Sequence, residues 1–372
     1  MSALSNTKMG SVNPPINPST NPLDRDILLF EMPAPRDDEW IAHLQIKYPG
    51  LEIRWHTFEF SMTPKPLPDE VYDGVTLLVG FMPHPAEKLP KVRYVQLMSA
   101  GADRWITNGL YKNPNVTFCT ANGTHAPQIA EWVIGTWLMA NHKFIDYAEQ
   151  QKKATWNRQA SLHIEDSPGL RMGILGYGAI GRHCARLGQA LGMEVYAYTR
   201  SEKATPEARK DDSYVVQGTG DPDGLIPTKW FHGSSKKSIN EFLSQDLDLL
   251  VISLPLTEAT KYIISKEQFD ILAKKKTFVS NIARGQHINT EDLIEALNEG
   301  KIRGAALDVA DPEPLTDGHP LWSAPNVFIT PHVSWQTPHL LQRIKAVVER
   351  NLEGLSGEKP NLINMMNKTH GY

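Results

Sequence analysis

The sequence predicts an α/β fold of two domains built on parallel sheets, and three observations carry that prediction. The chain has 372 residues, enough for two domains of ordinary size, about 100–200 residues each. Short β-branched and aromatic runs alternate with helical segments along most of its length, which is the βαβ rhythm of a parallel sheet. A strand over residues 172–175 runs directly into Gly176-Tyr177-Gly178-Ala179-Ile180-Gly181, the G-x-G-x-x-G pattern that joins strand to helix in doubly wound folds.

The elements follow in order. Residues 1–22 are rich in Ser, Asn and Pro and carry neither a signal-peptide apolar region nor an Arg-rich transit pattern, so a disordered tail is expected over residues 1–24. Strands are expected at 27–30, 51–55, 76–79, 94–97 and 116–119, with a helix at 38–48. One amphipathic helix is expected from residue 127 to about 153, on the spacing of Ile129, Trp132, Val133, Trp137 and Leu138. A loop follows at 158–169. A second series of strands is expected at 172–175, 194–198, 249–253, 277–281, 305–309 and 327–330. Between them, residues 201–238 form a polar stretch longer than a normal connection, which reads as a surface insertion.

Composition narrows the function. The formal net charge is −4, with 41% hydrophobic and 22% charged residues and no long basic run, which argues against nucleic acid or an anionic membrane as partner. The longest apolar stretch, residues 132–140, is too short to span a bilayer and is interrupted by Gly135 and Thr136. The two cysteines, Cys119 and Cys184, have no metal-ligand spacing and are too few for a disulfide framework. They read as small apolar residues in a reducing compartment, so a cytoplasmic enzyme without a metal site is expected.

The glycine turn carries chemistry. Gly176 permits the tight turn, Gly178 lets backbone approach a pyrophosphate, and Gly181 lets helix pack on strand. The helix starting near Ile180 supplies free N–H groups and a partial positive charge, so Gly176, Tyr177, Gly178, Ala179, Ile180 and Gly181 are expected to bind a dinucleotide. The next strand end selects the cofactor. An NAD site wants a carboxylate there for the ribose 2′-OH. This chain has Thr199-Arg200-Ser201, a guanidinium and two hydroxyls suited to a 2′-phosphate. NADP(H) is the expected cofactor, and NAD(H) stays open as the alternative in which Arg200 is a solvated loop charge and both cofactors are accepted.

Three further groups sit just past predicted strand ends, the edge where ligands bind in open α/β sheets: Arg284, Glu313 and His332. A 2-oxo acid offers a carboxylate beside a carbonyl, which the planar fork of an arginine can hold. Hydride arriving at the carbonyl carbon leaves charge on oxygen, and a histidine can supply the proton near neutral pH. A neighbouring carboxylate would hold the ring and favour its charged form. Each group alone could be a surface or loop residue; together, at consecutive strand ends, they form a catalytic constellation.

With these residues in place, the sequence resembles the D-isomer-specific 2-hydroxyacid dehydrogenases over roughly residues 26–357. The shared motifs are Ser99-Ala100-Gly101-Ala102-Asp103, Ala130-Glu131, the glycine turn, Ser253-Leu254-Pro255-Leu256-Thr257, residues 281–285, residues 304–315 and Thr330-Pro331-His332. Its similarity is greatest to the glyoxylate and hydroxypyruvate reductases. The resemblance implies a Rossmann-fold NAD(P)-binding domain, residues 126–339, inserted in a flavodoxin-like substrate-binding domain made of residues 25–125 and 340–372. It implies catalysis by Arg284, Glu313 and His332 in the cleft. Substrate contacts would come from backbone at Ala100 and Gly101 and from Arg284, His332 and Trp335. Cofactor contacts would come from Leu254, Pro255, Thr260, Ile282 and Ala283, with Asp308 against the nicotinamide carboxamide. A homodimer through residues 127–169 is implied, with Trp156 either in reach of the partner's cleft or packed within its own chain.

The expected reaction is NADPH-dependent reduction of a small 2-oxo acid to the D-2-hydroxy acid, with histidine as general acid. Two features depart from the family pattern. Val333-Ser334-Trp335 stands where many members have Gly and Ser, so Trp335 is expected to reshape the pocket, and the 201–238 stretch has no assigned role. A larger branched or aromatic 2-oxo acid is an alternative substrate. A cofactor-sensing interaction protein like the corepressors that share this fold is a second alternative, against which the lack of a basic nuclear-localisation run counts. Formate dehydrogenases carry Gln where Glu313 stands.

Overall fold

The computed structural model describes residues 23–58, 67–159, 162 and 164–368. The first sheet holds β1 (Ile27–Met32), β2 (Glu52–Thr57), β3 (Leu77–Gly80), β4 (Tyr94–Leu97) and β5 (Thr117–Cys119), all parallel, in the order β2-β1-β3-β4-β5. Helices α1 (Asp38–Lys47) and α2 (Gly109–Lys112) lie in its connections. Helices α3 (Ala126–Asn141) and α4 (Phe144–Lys152) lead to the second sheet.

That sheet holds β6 (Arg171–Leu175), β7 (Glu194–Thr199), β8 (Lys229–His232), β9 (Leu249–Ile252), β10 (Phe278–Asn281), β11 (Gly304–Leu307) and β12 (Val327–Ile329), again all parallel. Its connections carry α5 (Ala179–Ala190), α6 (Pro206–Arg209), α7 (Lys236–Leu243), α8 (Lys266–Leu272) and α9 (Thr290–Asn298). The last helix, α10, spans Leu340–Ser356.

The second sheet runs β12-β11-β10-β9-β6-β7-β8, so the winding reverses between β9 and β6, the switch point where such sheets bind ligands. Every residue of β9, β10 and β11 is buried, which their apolar runs foretell for strands covered on both faces. Helix α3 packs Ala130, Val133 and Trp137 with Ile174, Cys184 and Val251 on one face; Phe242, Leu250, Phe269 and Val279 pack on the other. The register places Leu175 beside Ile252, Ile252 beside Asn281 and Asn281 beside Leu307. The residues that follow these four strands therefore emerge side by side at one edge. Helix α10 returns to the first sheet, packing Ile344, Val348 and Leu352 with Phe30 and Val79.

Three expectations are corrected. Of the tail expected over residues 1–24, positions 1–22 lie outside the described residues, and the last two do not belong to a tail, because Leu23 is fully buried in the first sheet's core. The single helix expected over 127–153 is two: Lys143 takes a left-handed φ of 58°, which ends α3 and starts α4. The 201–238 stretch is not a free surface insertion. It contains β8, the edge strand paired to β7, and the start of α7. Its middle is anchored on α5: the buried Arg182 donates to the carbonyls of Arg209 and Asp221 and pairs with Asp211 at 3.3 Å, while Tyr177 donates to Asp221 Oδ2 at 2.7 Å. Buried polar groups need such partners, so this segment is ordered by the helix beneath it.

Cys119 lies in β5 and Cys184 in α5, and burial pushes both thiols up to about 12. Among the described residues no helix is long and apolar enough to cross a membrane, and no His, Cys, Asp or Glu cluster could hold a metal.

Candidate active site

The glycine turn has the shape its sequence demands. Gly176 has φ of 105°, and a Cβ there would lie 2.8 Å from the Ser253 carbonyl group. A Cβ on Gly181 would lie 2.4 Å from the Gly176 carbonyl oxygen, so helix α5 can press on β6 only with glycine there. Above Gly178 nothing lies within 4 Å, and α5 begins at Ala179. An open backbone face at the start of a helix of 12 residues fits a dinucleotide pyrophosphate. Beside it, Leu254 to Thr260 forms a turn closed by Thr260, whose hydroxyl donates to the Pro255 carbonyl at 2.8 Å and accepts from the Thr257 N–H at 2.8 Å. Ile282 and Ala283 are buried at the end of β10.

At the end of β7, Thr199 turns its hydroxyl onto the Ser201 carbonyl at 2.8 Å, and Arg200 and Ser201 are exposed. Glu202, the nearest carboxylate along the chain, sits 3.9 Å from His232 at the end of β8.

Arg284 is held from both sides. Asn281 at the end of β10 donates its amide N–H to the Arg284 carbonyl at 2.9 Å and accepts from the Ala283 N–H at 3.2 Å. The side chain reaches across to the first sheet, where its Nε lies 3.0 Å from Asp103 Oδ2. That carboxylate lies in the loop after β4 that also carries the exposed Ala100 and the half-buried Gly101.

His332 and Glu313 meet directly, His332 Nδ1 lying 2.7 Å from Glu313 Oε1, with both side chains about two-fifths exposed (39% and 40%). Burial works against the charge on Glu313. The bond from His332, its charge and the Arg284 guanidinium more than offset that, and the carboxyl is held below the usual carboxylate range. His332 has a left-handed φ of 55°, so its loop must be held in place.

Asp308 does much of the holding. Its buried carboxylate accepts four bonds: Thr330 Oγ1 at 2.6 Å and Val333 N–H at 2.9 Å on one oxygen, Ser334 N–H at 3.0 Å and Ser334 Oγ at 2.5 Å on the other. Those bonds use the acceptor capacity of a carboxylate. The expectation of a contact with the nicotinamide carboxamide meets a group already committed to the histidine loop. Trp335, expected to line the pocket, donates its indole N–H to the His332 carbonyl at 2.8 Å and packs its ring on the core beside α3. Its own carbonyl accepts from Gln128 on α3 at 2.8 Å.

The expected residues thus gather at one edge: the glycine turn, the 254–260 turn, Ile282, Ala283, Arg284, Asp308, Glu313 and His332 on the second sheet, and Ala100 and Gly101 from the first. Sequence reading missed Asn281 and Asp103 as partners of Arg284. The Asn281-x-x-Arg284 spacing was a local signal for one. The other had none, since its partner lies 181 residues away.

A parallel sheet with a phosphate-binding turn at its switch point, beside an Arg, Glu and His constellation, defines a dinucleotide-dependent oxidoreductase. The profile of the D-isomer specific 2-hydroxyacid dehydrogenase NAD binding domain matches residues 134–221 and 227–334, and the chain belongs to that family. A glyoxylate reductase of Aeropyrum pernix is 31% identical over 286 residues, covering 74% of this chain and 77% of that one. A glycerate dehydrogenase of Methylorubrum extorquens is 26% identical over 313 residues, covering 82% and 89%. The crystal structure of a D-isomer specific 2-hydroxyacid dehydrogenase from Xanthobacter autotrophicus, solved with NADPH and MES, is 22% identical and shares the fold with a TM-score of 0.71 over 93% of this chain and 99% of that one. The chain is therefore a nicotinamide-dependent 2-hydroxyacid dehydrogenase.

Proposed function

We infer that the enzyme reduces a small 2-oxo acid of the glyoxylate or hydroxypyruvate type to the D-2-hydroxy acid with NADPH. The carrying observation is the His332–Glu313 pair, 2.7 Å apart at the edge where Arg284 and the glycine turn emerge. A bound nicotinamide supplies the hydride. His332 holds a proton on Nε2 and passes it to the carbonyl oxygen as charge builds there. Glu313 accepts from Nδ1–H, which fixes the ring and its tautomer. Arg284 grips the carboxylate, with backbone at Ala100 and Gly101 on its other side. Trp335 and Asp308 hold the histidine loop in this reading and do not touch the substrate.

The NADPH preference rests on Thr199, Arg200 and Ser201 at the end of β7, with Glu202 turned toward His232. NAD(H) shares the turn without the 2′-phosphate contact. Leu254, Pro255, Thr260, Ile282 and Ala283 form the remaining cofactor wall. The names of relatives such as the Aeropyrum glyoxylate reductase support a small substrate.

The same reading includes a homodimer. Helix α4 and the segment after it expose Phe144, Ile145, Leu162 and Ile164, and Trp156 is 94% exposed. An apolar surface of this kind is what a symmetric interface covers.

A panel of 2-oxo acids of increasing side-chain size, assayed with NADPH and NADH, tests the specificity. Glyoxylate and hydroxypyruvate with NADPH should give the highest kcat/KM. A clear preference for a branched or aromatic acid, or for NADH, would overturn that part of the reading.

A further inference from the structure

Arg284 and Asp103 come from different sheets, one from the turn after β10 and the other from the loop after β4. Two nitrogens of the guanidinium, Nε and Nη2, donate to the same oxygen, Asp103 Oδ2. The remaining nitrogen, Nη1, donates to the Ala283 carbonyl at 2.7 Å. One N–H is left over on each terminal nitrogen, a pair that can receive a carboxylate.

Gly101 shows how tightly this is built. A Cβ there would lie 2.4 Å from Arg284 Nη2 and 2.9 Å from Asp103 Oδ2, and the backbone itself makes no demand for glycine, its φ not being in the left-handed region. Space for the guanidinium is therefore the reason for the glycine. The two motifs Ser99-Ala100-Gly101-Ala102-Asp103 and Asn281-Ile282-Ala283-Arg284-Gly285 interlock through this one contact. Both side chains are about one-third exposed (32% and 37%), so the pair adds little to fold stability. Its value lies in geometry.

We propose that Asp103 is a positioning residue: it grips the side edge of the Arg284 guanidinium across the cleft and so turns the two remaining N–H groups toward the carboxylate of the 2-oxo acid. This rests on Arg284 being the substrate clamp. It also makes the clamp depend on both sheets, because two of the guanidinium's three bonds come from the first and one from the second.

Charge alone predicts the opposite of positioning. Removing a carboxylate beside an arginine leaves the guanidinium unpaired, and any anionic substrate should then bind more tightly. The test is steady-state reduction of glyoxylate by the parent, Asp103→Asn and Asp103→Ala. The amide keeps an acceptor oxygen; alanine keeps none. The expected order of kcat/KM is parent, Asn, Ala, with KM rising and kcat falling together, and a loss of at least about tenfold in Asp103→Ala. The KM for NADPH should stay within about twofold, since the cofactor turn is untouched. Gly101→Ala, which drives a methyl into the pair, should reproduce Asp103→Ala.

A lower KM for glyoxylate in Asp103→Ala, or an unchanged kcat/KM, would overturn the proposal. If the parent reduces no 2-oxo acid, the functional reading of the site fails first. Positioning is then decided by a crystal structure of Asp103→Ala: a displaced guanidinium supports it, and one in its parent place refutes it.

Discussion

Replacing Asp308 by Asn changes one buried oxygen to an amide nitrogen and should unseat His332. The carboxylate is 1% exposed and accepts from two backbone N–H groups, Val333 and Ser334, and two hydroxyls, Thr330 and Ser334. Whichever way the amide turns, its NH2 faces one of those backbone N–H groups, donor against donor. The hydroxyls can rotate to accept; the N–H cannot. One charge-assisted bond is lost, at about 1.5–3 kcal/mol, and a buried N–H is left unpaired, so the total cost is about 2–4 kcal/mol. At about 2–4 °C per kcal/mol for a domain of this size, Tm should fall by roughly 4–16 °C. The loop also carries His332 at its left-handed φ of 55°, and a shift of about 1 Å there should lower kcat about a hundredfold. Thermal melts and glyoxylate kinetics on the same preparation check both. A Tm within about 1 °C of the parent, with only the KM for NADPH altered, would refute this argument and return Asp308 to a nicotinamide contact.

Other outcomes follow from the same geometry. Glu313 is held below the usual carboxylate range, so its pairing with His332 is intact above that range and is lost only as pH falls through the depressed value. Glu313→Gln keeps the shape but removes the charge that holds the His332 ring at 2.7 Å, so single-turnover reduction should slow by about tenfold; a parent-like rate would remove Glu313 as its partner. Arg200→Asp should raise the KM for NADPH by at least about tenfold and spare NADH, as loss of a charge-assisted phosphate contact implies. His125 and His183 are buried, and burial first, then the nearby Arg343 (with Arg186 at His183), lowers both from 6.5 to about 4. Each is neutral in the fold and gains a proton on unfolding, so urea stability should drop between pH 6.5 and 4, by about 2 kcal/mol per histidine at pH 5. His183→Gln should lose its share of that slope. Sedimentation at micromolar concentration should show a dimer; a monomer would end the reading of the exposed Trp156 segment as an interface.

What could be read from the sequence was local. The glycine turn was legible because its strand, glycines and helix lie within about twenty residues and obey one steric rule. The buried strands β9, β10 and β11 announced themselves as apolar runs. Strand β8 did not, because Lys229-Trp230-Phe231-His232 is an edge strand with two exposed and two half-buried residues and sits in a polar stretch. The break at Lys143 was hidden because an apolar helical spacing runs on across it, while a left-handed lysine has no compositional mark. Arg284, Glu313 and His332 were legible as residue types past strand ends. Their supports were not: the contacts of Asp103 and Trp335 run across the fold, and only the structure shows where the four bonds of Asp308 go.

Single-turnover oxidation of NADPH by the enzyme with saturating glyoxylate, compared between parent and His332→Ala, bears most directly on the central claim. Hydride transfer is followed without interference from product release. Rapid turnover is expected in the parent and a loss of about 10²–10⁴ in the variant, with NADPH still bound at near-parent affinity. A His332→Ala enzyme that reduces glyoxylate at close to the parent rate would contradict that claim.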